Sequence, residues 1–598
     1  MALTVMEVLN QTARKFPTKP AIRFKDKSKK GSHYTSNTEW TELTWLDYQQ
    51  TVWRLARGLG AMGIKPADKI IILGHNCQEW VLADVGSICI GAVPAGVYPT
   101  SSAEQCAYIL QHSKASCVFV ENDKQLEKVY ALRERLPNLK FFVLMKGSSH
   151  IKDVLSWDEL LLKSNEFSEE ELIRRIKQQK PNDLATLVYT SGTTSHPKAV
   201  MLSHDNLTWM SQMCVQFDMK LCDSDELISY LPLSHIAEQM TTIHGPMFVG
   251  ATVSFAESMD KLPENLREVK PTLLLGVPRV WEKIQAKMEE KASQASFLKR
   301  KLLAWASNIG RTLGHDADKN SYLSYKLADK LVYSKVRKAL GLDRCRFQVT
   351  AAAPISKDTL DFFMGFGIPL YELYGMSECT GPATISTITN LKLGSVGTCI
   401  KGGEVKIAED GEILIKGRHV FLGYLDDPEA TKEALDEQGY LHSGDIGMID
   451  DEGFLFITGR KKNLIITAGG ENIAPEMIEN KLKSIPEIEQ AVVIGDKRKY
   501  LTALLTLNPE ALSVFQSKGM TTRAKTSSEL CQCPNFKSYI QSRIEDVNAG
   551  IARVQTIKNF RLLPNSFSEE SGEMTPTMKV KRAFVLKKYS SEIDLMYA

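Results

Sequence analysis

At 598 residues the chain is too long for one compact core, so more than one domain is expected. Its 74 Lys+Arg against 71 Asp+Glu leave a formal net charge of +3, which speaks against a dedicated nucleic-acid binder of the usual strongly basic kind. With 43% hydrophobic and 24% charged residues, disordered and fibrous classes are excluded as well.

The N-terminus lacks the basic start and apolar core of a secretory signal. From residue 43 to 457, short apolar runs alternate with amphipathic segments, the pattern of a layered α/β domain. Residues 70–73, 116–120 and 272–275 read as buried strands. Residues 80–98 form the most apolar long stretch, but Asp84, Pro94 and several glycines interrupt it. It falls short of the roughly 20 apolar residues that a spanning helix needs and reads as a buried helix and strand. No transmembrane segment is expected, so any membrane association would be peripheral.

The apolar run 185–188 leads into Thr190, Ser191, Gly192, Thr193, Thr194, Ser195, His196, Pro197 and Lys198, and a second strand follows. Backbone N–H groups, hydroxyls and a lysine in such a loop can hold polyphosphate oxygens. The G-x-x-x-x-G-K-[ST] spacing of a Walker A loop is absent, and an ordinary polar hairpin stays open. Residues 282–340 read as a long, basic, mostly helical stretch, with Leu302, Leu303, Trp305, Ala306 and Ile309 at near-helical spacing. Such a stripe is either packed on its own domain or turned to a lipid surface.

A strand ending at Tyr374 and Gly375 is followed within a turn by Glu378. The aromatic and the glycine can accept the flat face of an adenine, and the carboxylate is a hard ligand suited to Mg²⁺. Asp445 closes the turn-like Ser443-Gly-Asp445 and can accept two ribose hydroxyls, or simply cap that turn. A second unit starts near Arg460. Strand-like 491–494 and 502–505 with helix-like 475–484 suggest a small α+β module, and polar 516–538 reads as a surface insertion. The 11 cysteines show no regular framework and read as reduced thiols; Cys531 and Cys533 have no second pair at zinc spacing. Near the end, Lys579 follows a turn and would by itself be a solvated charge.

Taken in this order, the four motifs resemble the ANL superfamily: acyl-CoA synthetases, nonribosomal-peptide adenylation domains and firefly luciferase. Leu231-Pro-Leu-Ser-His235, Gly276-Val-Pro-Arg-Val-Trp281, Leu464 to Asn472 and Met574-Thr-Pro-Thr-Met-Lys579 are similar to long-chain fatty acyl-CoA synthetases. Residues 468–475 and 591–597 most resemble the bubblegum family. The resemblance implies an α/β fold, with a large N-terminal layered α/β domain at 1–458 and a small mobile α+β domain at 459–598, hinged at 459–462. It implies an ATP-dependent ligase that joins a long-chain fatty acid to coenzyme A through an acyl-adenylate, with ATP, Mg²⁺ and CoA as cofactors and co-substrates. It implies no nucleic-acid partner and a cytoplasmic place, with room for peripheral attachment to intracellular membranes.

Carried over residue by residue, the loop from Thr190 to Lys198 would wrap the phosphates, Thr193 counting among the catalytic groups. Glu372, Leu373, Tyr374, Gly375, Met376 and Ser377 would frame the adenine and α-phosphate. Glu378 would hold Mg²⁺, and Asp445 with Arg460 would grip the ribose. His235 would sit where adenylate and acyl chain meet, unless it is a core histidine. Lys462 matches the hinge, Gly470 the pantetheine tunnel, and Lys579 the lysine of the first half-reaction, with Lys581 as its rival. Three departures stand out. Ser195 and Ala199 replace loop glycines, the turn at Thr350 reads Thr-Ala-Ala-Ala-Pro, and Lys579 lies four residues after Thr575 rather than two. The lost glycines motivate a second reading, a non-catalytic nucleotide- or acyl-binding paralogue; the retained charges of Glu378, Asp445, Arg460 and Lys579 oppose it. A peptide-synthetase adenylation domain would need an adjoining carrier domain, for which the residues after Lys579 leave no room.

Overall fold

A computed structural model describes residues 2–25, 40–190, 196–216, 219–316, 318–468, 471–519, 522–575 and 579–597. Strand Lys69–Leu73, with four of its five residues buried, lies at the heart of an eight-stranded sheet. It pairs in parallel with Val93–Val97 on one side and Cys117–Val120 on the other. Central parallel strands are covered on both faces, which is why this run shows no alternation. The sheet continues through Leu184–Thr190 and Lys198–Ser203 to the short edge strand Gly423–Tyr424. Helix Gln78–Ile90 is buried along most of its length, so it carries no amphipathic signature.

That helix places Asp84 in the core at 1% exposure, and neither carboxyl oxygen has a hydrogen-bond partner. Burial pushes its pKa from 3.8 up to about 7. The folded state therefore resists an ionisation that the unfolded chain undergoes near pH 4, and stability is lost as pH rises from there towards 7. Asp84→Asn is expected to stabilise the fold relative to the parent by an amount that grows from about pH 4 to about pH 7, reaching on the order of a few kcal/mol, and to raise the melting temperature accordingly. Thermal melts of both proteins across that range test this; a difference independent of pH refutes it.

Two further sheets carry the site. Leu273–Gly276, Phe347–Ala351 and Leu370–Met376 run parallel, and Gly381–Ile385 with Thr398–Cys399 completes that sheet antiparallel. Glu404–Ile407, Glu412–Lys416, Leu441–Ile449 and Leu455–Arg460 form an antiparallel sheet. The large domain also recruits residues before 43, which the sequence pattern left out. Strand Pro20–Lys25 pairs in parallel with Thr252–Phe255, a contact between segments far apart in the chain.

Within the basic stretch, helix Phe297–Leu313 buries Ala306 and Gly310. A Cβ on Gly310 would lie 2.6 Å from the Gly365 carbonyl oxygen, so glycine permits this close approach. The same helix leaves Phe297, Leu298, Leu302 and Trp305 exposed. The stripe is thus split, one face packed on its own domain and the other exposed.

Beyond residue 463, Ile488–Ile494, Leu501–Leu507 and Ile557–Leu563 form a three-stranded sheet packed by helices Pro475–Lys483 and Pro534–Ala549. The segment 516–538 is not a plain surface insertion. Leu530 and Phe536 are fully buried in this module, and Phe536 meets Phe515 edge-on. Anchors this sparse create no periodicity that a sequence window can detect. The buried hydrophobic clusters of this module draw on residues 465–596, and those of the large domain on residues before 458; among the described residues none is shared.

Candidate active site

Strands Leu184–Thr190 and Lys198–Ser203 are antiparallel, with Thr190 opposite Lys198, so the predicted phosphate loop joins two paired strands. Ser191, Gly192, Thr193, Thr194 and Ser195 lie outside the described residues. His196 stacks on Tyr108 at 4.6 Å between ring centroids, and the Tyr108 hydroxyl donates to the Pro197 carbonyl at 3.2 Å. Ala199 is a strand residue opposite Tyr189 and is not among the positive-φ residues, so the glycine absent there costs no backbone strain. In the turn after Phe347–Ala351, strain sits at Ala352, whose φ of +73° costs roughly 1–2 kcal/mol for a side-chain-bearing residue.

Lys198 projects its Nζ over the Tyr424 ring, 4.8 Å from the centroid, and the Tyr424 hydroxyl donates to Glu378 Oε1 at 2.8 Å. The backbone carbonyl of Glu378 accepts from the Phe421 N–H at 2.8 Å. Cation, ring and carboxylate thus stand in a row linking the loop to Glu378. Burial first, and the Glu378 charge second, push the Tyr424 phenol far up, keeping it a donor. Sequence reasoning missed Tyr424 because its short edge strand carries no signal of its own.

Strand Leu370–Met376 delivers Glu372, Leu373, Tyr374, Gly375 and Met376, and the turn Ser377–Cys379 delivers Ser377 and Glu378. A Cβ on Gly375 would fall 1.8 Å from the Gly381 carbonyl oxygen, so only glycine fits. Burial pushes the Glu372 carboxyl up to about 8, leaving it mostly protonated at neutral pH. Tyr374 is buried and spends its hydroxyl on Asp445 Oδ2 at 2.9 Å.

Asp445 does not end a turn. It lies inside strand Leu441–Ile449, directly opposite Arg460 of Leu455–Arg460. Gly444, with φ of +70°, gives the kink that reads as a turn, while Glu412 Oε1 accepts its N–H at 2.8 Å and the ladder continues. Arg460 Nε donates to Asp445 Oδ1 at 2.8 Å, so both carboxylate oxygens are held from opposite sides.

His235 caps helix Ile236–Gln239, its Nδ1 accepting from the Ala237 N–H at 3.2 Å. Burial, then the nearby Lys579 charge, lower its pKa to about 4. A neutral ring that accepts at Nδ1 carries its proton on Nε2.

Lys579 closes a small hairpin. Its carbonyl accepts from the Thr575 N–H at 2.8 Å, its own N–H donates to Thr575 Oγ1 at 3.0 Å, and Met574 bridges to Val580. Lys579 is exposed, with other charged groups gathered about its ammonium. Desolvation lowers its pKa first and Arg460 adds to this, while Asp445 and Glu378 oppose. Lys579 is therefore within electrostatic reach of Arg460, Asp445, Glu378 and His235. Lys581 instead caps helix Arg582–Lys588, and its N–H donates to the Glu573 carbonyl at 2.7 Å. Gly470 lies outside the described residues; Lys462 falls in the turn Lys461–Asn463, beside Lys461, which bonds Asp410 and Glu412.

The chain matches the AMP-binding enzyme family over residues 9–425 and the AMP-binding enzyme C-terminal domain over residues 462–598. It is 40% identical to the long-chain-fatty-acid–CoA ligase ACSBG2 of Xenopus laevis, across 100% of this chain and 84% of that protein. It is 38% identical to ACSBG2 of Homo sapiens (100% and 92% covered) and 40% identical to ACSBG1 of Homo sapiens (94% and 82%), both named long-chain-fatty-acid–CoA ligases. Among solved structures, the adenylation domain of a carboxylate reductase from Mycobacterium chelonae superimposes with a TM-score of 0.75 at 19% identity, covering 100% of this chain and 91% of that one. The anthranilate CoA ligase AuaEII in complex with anthranoyl-AMP gives 0.73 at 16% identity, with 99% and 98% covered. Likeness at such identities is likeness of fold.

Proposed function

The chain belongs to the AMP-binding enzyme family, and from that premise we infer that it is an ATP-dependent, AMP-forming long-chain fatty acid:CoA ligase of the bubblegum type. The observation that carries this reading is that Arg460, Asp445, Glu378 and His235 stand within electrostatic reach of Lys579, in a chain similar to such ligases along its whole length.

A carboxylate is a poor electrophile and must first be activated. Its oxygen attacks the α-phosphorus of ATP, the bond to pyrophosphate breaks, and the acyl-adenylate forms. The CoA thiol then attacks the acyl carbon and AMP leaves. In this reading Asp445 accepts the ribose hydroxyls while Tyr374 and Arg460 hold it in place, and the loop from Thr190 to Lys198 wraps the phosphates. Glu372 to Ser377 frame the adenine. Lys579 sets positive charge between carboxylate and α-phosphate, where negative charge is redistributed. His235, neutral with Nε2–H, offers a donor without adding a second charge beside the lysine.

Mg²⁺ fits the donors present. No group of three or more His, Cys, Asp or Glu able to cage a metal stands among the described residues. A lone carboxylate such as Glu378, steadied by Tyr424, suits an ion that arrives with phosphates. Bound there, it would neutralise phosphate charge. The proposed division is 1–458 and 459–598, hinged at 459–462, with Gly470 on the pantetheine path; the separate cores and the family matches on either side of residues 425–462 support it.

The direct test measures AMP release and thioester formation with Mg²⁺-ATP, CoA and fatty acids of graded length. Both are expected, and strongest with long chains. No AMP release with any acid would return the non-catalytic alternative.

We further propose a cytoplasmic place with peripheral membrane attachment through Phe297–Leu313. Leu298 and, in the following helix Leu323–Ala328, Leu323 are 78% and 81% exposed, with Lys299, Arg300, Lys301 and Lys326 close to them in sequence. Among the described residues no helix is long and apolar enough to cross a membrane. Binding to anionic vesicles is expected at low salt and should weaken steeply as salt is added. Sedimentation with vesicles of mixed phosphatidylcholine and phosphatidylserine measures it, and absence of binding at low ionic strength rejects it.

A further inference from the structure

Helix Pro278–Ser293 begins at the Gly276-Val-Pro-Arg-Val-Trp281 segment, with Pro278 in its first turn and Trp281 fully buried. Proline there fixes the backbone for helix entry, so Arg279 leaves a rigid mount. Its Nη2 donates to Glu489 Oε1, and its Nη1 lies 3.8 Å from Glu282 of its own helix. Glu489 belongs to strand Ile488–Ile494 of the small domain. Among the described residues this is the one ion pair that joins the small domain, beyond the 459–462 connection, to the large domain. The other ion pairs beyond residue 463 stay within the module, such as Arg582 with Glu479, Lys518 with Glu487 and Lys588 with Glu573. Glu489 is mostly buried and its Oε2 has no hydrogen-bond partner, so the carboxylate relies on Arg279.

The pair is formed in the same pose that brings Lys579 within reach of Arg460, Asp445 and Glu378. No hydrophobic cluster is shared between the two domains, so little apolar burial opposes a change of pose. A contact that exists in one pose and is lost in another weights the equilibrium between them by its own free energy. We propose that Arg279 and Glu489 are positioning residues that hold the small domain in the adenylate-forming pose, acting on the first half-reaction through Lys579. This rests on the reading that the small domain turns between half-reactions. Each side chain is spent on a protein partner, Arg279 on Glu489 and Glu282. Breaking the pair leaves a mostly buried carboxylate uncompensated, and opening the pose lets water relieve it.

The test uses full-length protein with Arg279→Gln, Glu489→Gln, and the exchange Arg279→Glu with Glu489→Arg. Acyl-adenylate formation is followed in single turnovers without CoA, and thioester formation from supplied acyl-adenylate with CoA. Each neutral variant is expected to slow the first half-reaction about fivefold to tenfold through the population of the competent pose, with the second half-reaction unchanged or faster. The exchanged pair should recover at least half of the lost rate. An unchanged first half-reaction, equal losses in both, or failure of the exchange to recover the rate would each overturn the proposal. Lys579→Ala, assayed in parallel, probes the underlying reading. If it too loses both half-reactions while folded, the turning of the small domain fails; if it loses only the first while the Arg279 and Glu489 variants behave like the parent, only the latch fails.

Discussion

Lys579→Ala is expected to lower acyl-adenylate formation by about two to three orders of magnitude, yet to convert supplied acyl-adenylate and CoA to thioester at close to the parent rate. In the proposed mechanism the charge on this lysine serves only the step in which carboxylate and α-phosphate approach. Removing an interaction made in one transition state leaves a different transition state untouched. Its surroundings add a pH signature. Desolvation at the ammonium, then Arg460, lower the Lys579 pKa from the ordinary lysine value, so the first half-reaction should fall off on the alkaline side before a solvated lysine would deprotonate. Single-turnover rates measured for each half-reaction against pH decide both points. A folded Lys579→Ala protein that adenylates normally would move the role to Lys581.

Asp445→Ala carries the second large effect. Both carboxylate oxygens are engaged, one by Arg460 and one by Tyr374, so the side chain is fixed before nucleotide arrives. Two hydrogen bonds from ribose hydroxyls to a charged acceptor are worth roughly 3–5 kcal/mol together. Their loss should raise the apparent KM for ATP by about two to three and a half orders of magnitude. Some stability is lost too, but Arg460 is half exposed and solvent screens the charge left behind, which keeps that loss to about 1–2 kcal/mol. Asp445→Asn keeps the shape and should melt close to the parent while still binding ATP poorly. Titrating ATP at saturating fatty acid and CoA measures the effect, and a parent-like KM would remove Asp445 from the nucleotide site.

What could be read from the residues was local. The apolar run at 70–73 is a strand because four β-branched or leucine side chains in sequence suit the middle of a parallel sheet, and 475–483 is a helix because its apolar residues recur on one face. The residues proposed for the chemistry stood out as candidates because they cluster in short segments: Thr190 to Lys198, Glu372 to Glu378, and Asp445. What stayed hidden depends on pairing at a distance. Tyr424 meets Glu378 across 46 positions and Arg279 meets Glu489 across 210, and neither partner announces the other. Asp445 looked like a turn residue because Ser-Gly-Asp favours turns, and the ladder with Arg460 overrode that preference. Strand Pro20–Lys25 was invisible because it is half-exposed and finds its partner near residue 253.

The self-contained cores have an engineering consequence. Each apolar cluster of the C-terminal module closes upon residues of that module, and those of the large domain close likewise. A module whose interior owes nothing to its neighbour is a cartridge. Residues from 464 onward could be replaced by the matching segment of a relative without opening a cavity in either half. The acyl-binding half would be inherited from one parent and the lysine-bearing half from the other. The docking chemistry to be preserved in such a hybrid includes Arg279 with the residue that stands in for Glu489, and the approach of Lys579 to Arg460, Asp445 and Glu378.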